Sequence, residues 1–156
     1  VKSRVWPYEE ILVATDLSEP SEQALLVADR FFPTAPLTAL HVADTPPASI
    51  LETPALREQW RAREKAGCAG FIERSKLSAE ARLRVKPLVD CGRPEVVVRR
   101  YMLEKEVDLV VVGSRRGGSL FDKRLGGVAR RILEYAPADV LLIRDPRTTP
   151  REPPSH

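Results

Sequence analysis

The sequence predicts an open, doubly wound α/β sandwich built on a five-stranded parallel sheet. Three observations predict it. Five short runs rich in apolar and β-branched residues punctuate the chain, at Ile11–Ala14, Leu37–Ala43, Leu83–Val89, Val107–Val112 and Asp139–Ile143. These runs are mostly continuous rather than alternating, the pattern of strands buried on both faces. Helical patterns separate every consecutive pair, and right-handed crossovers turn a β-α-β-α-β-α-β-α-β order into a parallel sheet with helices on both faces.

The elements follow in order. After the first strand, Ser18 or Ser21 caps a helix that turns Ala24, Leu25, Ala28, Phe31 and Phe32 inward and stops at Pro33 and Pro36. Thr53-Pro54 opens a longer helix carrying Leu56, Trp60, Phe71 and Ile72, with Gly67 and Gly70 each weakening its middle by ~1 kcal/mol. Pro94 sits at the first position of a third helix with Val97 and Tyr101 on one face, and Leu125, Val128, Ile132 and Ala136 mark a fourth. Residues 1–145 make one domain, as expected for a chain of 156 residues. Residues 146–156, with prolines at 146, 150, 153 and 154, read as a loosely attached tail.

The composition narrows the function classes. An apolar fraction of 43% and a charged fraction of 30% suit a packed globular domain. No apolar stretch reaches the ~18 residues needed to span a bilayer, and Val1-Lys-Ser-Arg4 runs into Trp6-Pro7 without a signal-like apolar region. Cys68 and Cys91 lack metal-ligand spacing and neighbouring groups that would activate a thiol. The expectation is a cytoplasmic, reduced protein without structural zinc or membrane association. Net charge is only +3, but Gly113–Arg131 holds six basic residues (Arg115, Arg116, Lys123, Arg124, Arg130, Arg131) against Asp122 alone. Such a local cluster suits a bound anion better than a nucleic-acid track, and equally describes a solvated basic helix face.

In a doubly wound sheet, ligands bind at the carboxyl ends of the strands, where the strand order reverses. Asp16 follows the first strand, Val42 ends the second, and Gly113-Ser-Arg-Arg-Gly117-Gly118-Ser119 follows the fourth, with Gly126-Gly127 opening the last helix. Glycines there permit close backbone approach to a phosphate, and a helix start supplies free N–H groups. Established phosphate motifs fail: Ser119 stands where a P-loop needs lysine, and no Gly-x-Gly-x-x-Gly follows the first strand. Pyrophosphatase and adenylylation loops are absent too. Asp90 at the end of the third strand lacks the acidic cluster and late lysine of a receiver domain.

Taken together, six stretches resemble the universal stress protein family, in its order and spacing: Ile11-Leu-Val-Ala-Thr-Asp16-Leu-Ser18-Glu19, Leu40-His-Val42, Cys91-Gly-Arg-Pro94, Asp108-Leu-Val-Val-Val-Gly113-Ser114, Leu125-Gly126-Gly127-Val128, and Ala136-Pro-Ala-Asp-Val140-Leu-Leu-Ile-Arg144. The resemblance implies strand order 3-2-1-4-5 and a homodimer pairing through the last strand near Val140–Ile143. In the ATP-binding branch it places base and ribose near Ala14, Thr15, Asp16 and the backbone of Val42. The phosphates then lie along Gly113, Arg115, Arg116, Gly117, Gly126, Gly127 and Val128, with Mg²⁺ as an accompanying ion. The family's phosphate motif is Gly-x-x-Gly, nine residues, then Gly-Ser or Gly-Thr. Counted from Gly113, the second glycine position holds Arg116 and the hydroxyl position holds Gly127; shifted by one, Gly117 and Gly127 fit but Val128 replaces the hydroxyl. An arginine at a glycine position would strain a left-handed loop by ~1–2 kcal/mol, yet Arg115 and Arg116 can also bind phosphate bidentately.

Side chains weighed singly resolve as follows. Asp16 suits either a ribose or adenine contact or a helix cap. His41, inside a strand, reads as packed, and Trp6 and Trp60 as packing residues. No nucleophile–base pair or carboxylate cluster appears, so ATP hydrolysis is expected to be slow at most. Three function classes follow: an ATP-binding homodimeric switch, a nucleotide-free dimeric module recruiting a protein partner, and an ATP-consuming enzyme of related fold, whose signature loops are missing.

Overall fold

The computed structural model describes residues 8–114 and 126–144. The five apolar runs form strands β1 (Ile11–Thr15), β2 (Leu37–Ala43), β3 (Val85–Cys91), β4 (Leu109–Ser114) and β5 (Asp139–Arg144). All pairings are parallel, in the order β3-β2-β1-β4-β5, so the fold and strand order are those the sequence implies. Helices α1 (Glu19–Phe31), α3 (Pro54–Arg74), α5 (Pro94–Glu104) and α6 (Gly126–Tyr135) make the crossovers. Residues 115–125 and the segment 146–156 lie outside the described residues, so Arg115, Arg116, Gly117 and the expected tail are not placed.

Residue parity along the strands sorts the core into two layers. Ile11, Val13, Leu37, Ala39 and Val111 face α1 and α3. Leu12, Leu40, Val110 and Val112 face α5 and α6, where Val97, Val98, Met102 and Ile132 meet them. Most of these side chains are fully buried, each contributing roughly 1.5–3 kcal/mol. The amino ends of β1 and β4 are tied by a carboxylate: the N–H groups of Glu9 and Glu10 both donate to Asp108 Oδ2 at 2.9 Å.

The structure departs from the sequence reading in four places. Two short helices appear that apolar periodicity does not show, α2 (Ala48–Glu52) and α4 (Ala79–Arg84). Helix α4 takes Leu83 out of the expected third strand: Ser78 Oγ caps it by accepting from Ala81 N–H at 3.1 Å, and the helix turns Leu83 fully outward. Arg84 then reaches back to the carbonyls of Phe32 and Ala35 and to Asp29. Phe31, expected inside, is exposed, because the chain leaves the helix at Phe32 and that ring enters the core instead. Leu56 is likewise exposed on the opening turns of α3, which bury only Cys68, Phe71 and Ile72 near the other end. Among the described residues, no helix is long and apolar enough to cross a membrane.

One glycine is dictated by packing. A Cβ on Gly113 would overlap the Pro20 carbonyl oxygen and stand 2.6 Å from its carbon. The first turn of α1 therefore rests directly on the end of β4. Gly113→Ala is expected to cost ~3 kcal/mol, the upper range for overpacking, as a lowered urea midpoint. Gly67→Ala is the control: its Cβ would meet Leu17 Cδ1 at an ordinary 4.0 Å, so this variant is expected to be neutral or stabilising by up to ~1 kcal/mol.

Candidate functional site

Strand order reverses at β1, whose neighbours β2 and β4 lead into helices on opposite faces, so a crevice opens at their carboxyl ends. Register brings the expected residues to it. Ala14 lies between Leu40 and Val112, Thr15 beside His41, and Val42 and Gly113 each follow one step on. Ala14 and Val42 turn their side chains into the layer under α5 and α6. Only their backbones can serve a ligand. Gly126, Gly127 and Val128 form the first turn of α6, at the same end of the sheet.

The turn after β1 is held by its own side chains. Asp16 N–H donates to Ser21 Oγ at 3.1 Å, and the Ser21 hydroxyl donates back to Asp16 Oδ1 at 2.7 Å. The same Oδ1 accepts from Ser18 N–H at 3.0 Å, while Ser18 makes no side-chain cap bond of its own. Asp16 thus closes an Asx turn ahead of α1, whose first turn receives no side-chain cap from Ser18, and it remains exposed to solvent. Leu17 adopts φ +63°, a left-handed conformation that costs a leucine ~1–2 kcal/mol. Its N–H donates to Thr15 Oγ1 at 3.0 Å, which helps to fix the turn.

Beneath this turn lies a pair that the sequence reading missed. Buried His41 places Nδ1 3.3 Å from the Thr15 carbonyl oxygen and Nε2 3.3 Å from Glu64 Oε2 on α3. The signal was available: Glu64 stands four residues from both Trp60 and Cys68, on the inward stripe of α3, where a carboxylate demands a partner.

Other candidate groups are accounted for structurally. Asp90 accepts from Cys91 N–H at 2.8 Å and is engaged by Arg100 and Tyr101. Burial pushes the Cys68 thiol up to about 11. Burial and the Asp90 charge raise Cys91 as well. Two members of the basic cluster are locally paired, Arg130 with Glu134 at 3.2 Å and Arg131 with Glu95 at 3.3 Å. For those two the solvated-face reading holds. Burial works against ionised Glu95, but its backbone hydrogen bond and the Arg93 and Arg131 guanidiniums outweigh it and hold the carboxyl below its usual range. Among the described residues, no group of three or more His, Cys, Asp or Glu side chains is arranged to hold a metal.

Comparison with known proteins is informative at this point. Among curated protein sequences none matches this chain. Among solved structures, the chain is similar to the universal stress protein UspA from Lactobacillus plantarum, at 27% identity and TM-score 0.62, covering 90% of this chain and 100% of that one. It is similar in fold to a universal stress protein family protein from Arabidopsis thaliana with AMP bound (18% identity, TM-score 0.58, 92% and 97% covered). A universal stress protein in complex with cAMP shares the fold too (21%, TM-score 0.54, 87% and 96% covered). The sequence model of the universal stress protein family matches residues 7–144, which takes in every strand and helix described above. The protein belongs to the universal stress protein family.

Proposed function

We propose that the protein binds an adenine nucleotide, ATP with its Mg²⁺, in the crevice at the ends of β1, β2 and β4, and acts as a nucleotide-linked homodimeric switch. The observation that carries this reading is the register that gathers Thr15, Asp16, Val42 and Gly113 at the point of strand reversal, in a fold whose solved relatives include AMP and cAMP complexes.

The described wall fits the nucleoside half. Asp16 is an exposed carboxylate whose bonds to the turn fall on Oδ1, leaving acceptor capacity for a ribose hydroxyl or the adenine amino group. The backbones of Ala14, Thr15 and Val42 supply directional contacts to the base. On the phosphate side, the first turn of α6 brings the N–H groups of Gly126, Gly127 and Val128, which have no acceptor within the helix. Arg115 and Arg116 add charge and Gly117 a residue without a side chain, all three outside the described residues. ATP supplies the phosphates that carry Mg²⁺. Turnover is expected to be slow at most, with the bound state itself the signal.

The dimer reading rests on β5. It is the last strand of the sheet, with one edge unpaired among the described residues, and Val140, Leu141, Leu142 and Ile143 are only half-buried. A second copy pairing there would cover that edge. The alternative is a nucleotide-free dimer that recruits a protein partner, and it predicts the opposite titration results.

Isothermal titration of the nucleotide-stripped chain with MgATP is expected to show one site per chain in the micromolar range, ~−8 kcal/mol. Asp16→Ala should weaken it at least tenfold, while Asp16→Asn, which keeps an oxygen to hold the turn, separates the charge from the turn. Absence of heat at millimolar ATP with the protein folded would favour the partner-recruiting module. Arg116→Gly should weaken ATP several-fold and leave adenosine unchanged; stronger ATP binding would mean that the arginine obstructs the loop. Sedimentation should show a dimer that Leu142→Asp converts to monomer, and a dimer indifferent to that change would place the interface elsewhere.

A further inference from the structure

We propose that His41 and Glu64 form a proton-dependent brace that fixes the end of β1, so that the crevice binds its nucleotide more tightly when the imidazole carries both ring protons. The brace is a property of this chain's own residues; its effect on affinity rests on the nucleotide reading above.

The argument is one of donors and acceptors. His41 Nδ1 lies 3.3 Å from the Thr15 carbonyl oxygen, and Nε2 lies 3.3 Å from Glu64 Oε2. A carbonyl oxygen only accepts, and an ionised carboxylate only accepts. A neutral imidazole has a single N–H, so it satisfies one side and opposes a lone pair to an oxygen on the other. The imidazolium has two N–H groups, so it donates to the carbonyl while setting its positive charge against the Glu64 carboxylate. Histidine is the side chain whose ordinary titration falls between pH 5 and 8, and this one is only 11% exposed at its side chain, with Glu64 at 29%. Water therefore replaces a missing bond poorly on the His41 side.

Among the described residues, the surroundings do not supply a substitute partner. On α3 the neighbours along the inward stripe are Trp60 and Cys68, and Cys68 Sγ donates to Ala39 O at 3.9 Å. Arg61, one residue round the helix from Trp60, acts electrostatically on Cys91. On β3 the register partner is Val89; beyond it the Asp90 carboxylate is taken by Arg100 and Tyr101. At the end of β1 the Asp16 carboxylate turns its Oδ1 to Ser18 and Ser21. Among the described residues, Glu64 is the carboxylate within ion-pair reach of the ring.

What the brace positions is specific. Thr15 carries the last carbonyl of β1, immediately before Asp16 and the left-handed Leu17. Holding that carbonyl holds the turn whose carboxylate faces the ligand. His41 and Glu64 touch no ligand themselves; they are positioning residues.

The test uses the full chain with His156→Gln, so that His41 is the one histidine, ¹⁵N-labelled and free of nucleotide. The backbone amides of Asp16 and Leu17 should titrate in step with the His41 ring between pH 5 and 9. In Glu64→Gln, whose amide can donate to a lone-pair Nε2, that coupled response should shrink by more than half. Amides that ignore the ring overturn the brace, whatever the nucleotide does. For affinity, the ratio of wild-type to Glu64→Gln binding of ATP should fall at least fivefold from pH 6 to pH 8.5, a ratio in which the titration of the ligand's own phosphates cancels. A ratio constant with pH overturns the effect on the crevice. Should ATP fail to bind at any pH, the nucleotide reading falls, and the amide titration still decides the brace.

Discussion

The site depends on how closely the first turn of α1 can approach β4. Pro20 rests its carbonyl where any side chain on residue 113 would stand. That contact draws α1 across the sheet toward β4, so the Asp16–Leu17 turn must fold back sharply over the strand end. The left-handed Leu17 and the reciprocal bonds between Asp16 and Ser21 are how the chain accommodates the geometry. A glycine that the phosphate motif would explain is thus required by backbone packing alone. Both demands can act on one residue, but only the packing demand operates in the empty protein.

Asp16 shows the same duality. Its Oδ1 holds the turn ahead of α1 by accepting from Ser18 N–H and the Ser21 hydroxyl, which uses the carboxylate structurally and fixes its direction. A group held in this way enters a binding event without losing further rotamer freedom, which is the usual advantage of preorganised polar contacts.

Much of the fold was legible because continuous β-branched runs and intervening helical periodicity are strong signals, and Pro54 and Pro94 mark helix starts unambiguously. The misses have physical causes. Leu83 belongs to an apolar run, yet Ser78 nucleates a single helical turn before the strand begins, a local hydrogen bond that hydrophobic patterning does not register. Phe31 and Phe32 are indistinguishable by composition, and the path of the chain after the helix decides which ring is buried. The strand pattern put Asp16, Val42 and Gly113 at the carboxyl ends of β1, β2 and β4, where register also brings them, whereas the His41–Glu64 pair joins residues on a strand and a helix far apart in sequence. Periodicity could mark Glu64 as inward; it could not name its partner.

The position of β1 has a consequence for how the molecule comes to exist. The first of the described strands is the central one, and its two neighbours arrive at very different times: β2 follows after one helix, whereas Glu10 meets Asp108 across a separation of 98 residues. During synthesis β1, β2 and β3 can assemble early, but they leave one side of the largely apolar β1 as an open edge of unpaired N–H and C=O groups until β4 is available. Such late, non-local closure slows folding and exposes a strand that readily pairs with other chains. For a protein of this topology, the interval between emergence of β1 and arrival of β4 is the period in which aggregation competes with maturation.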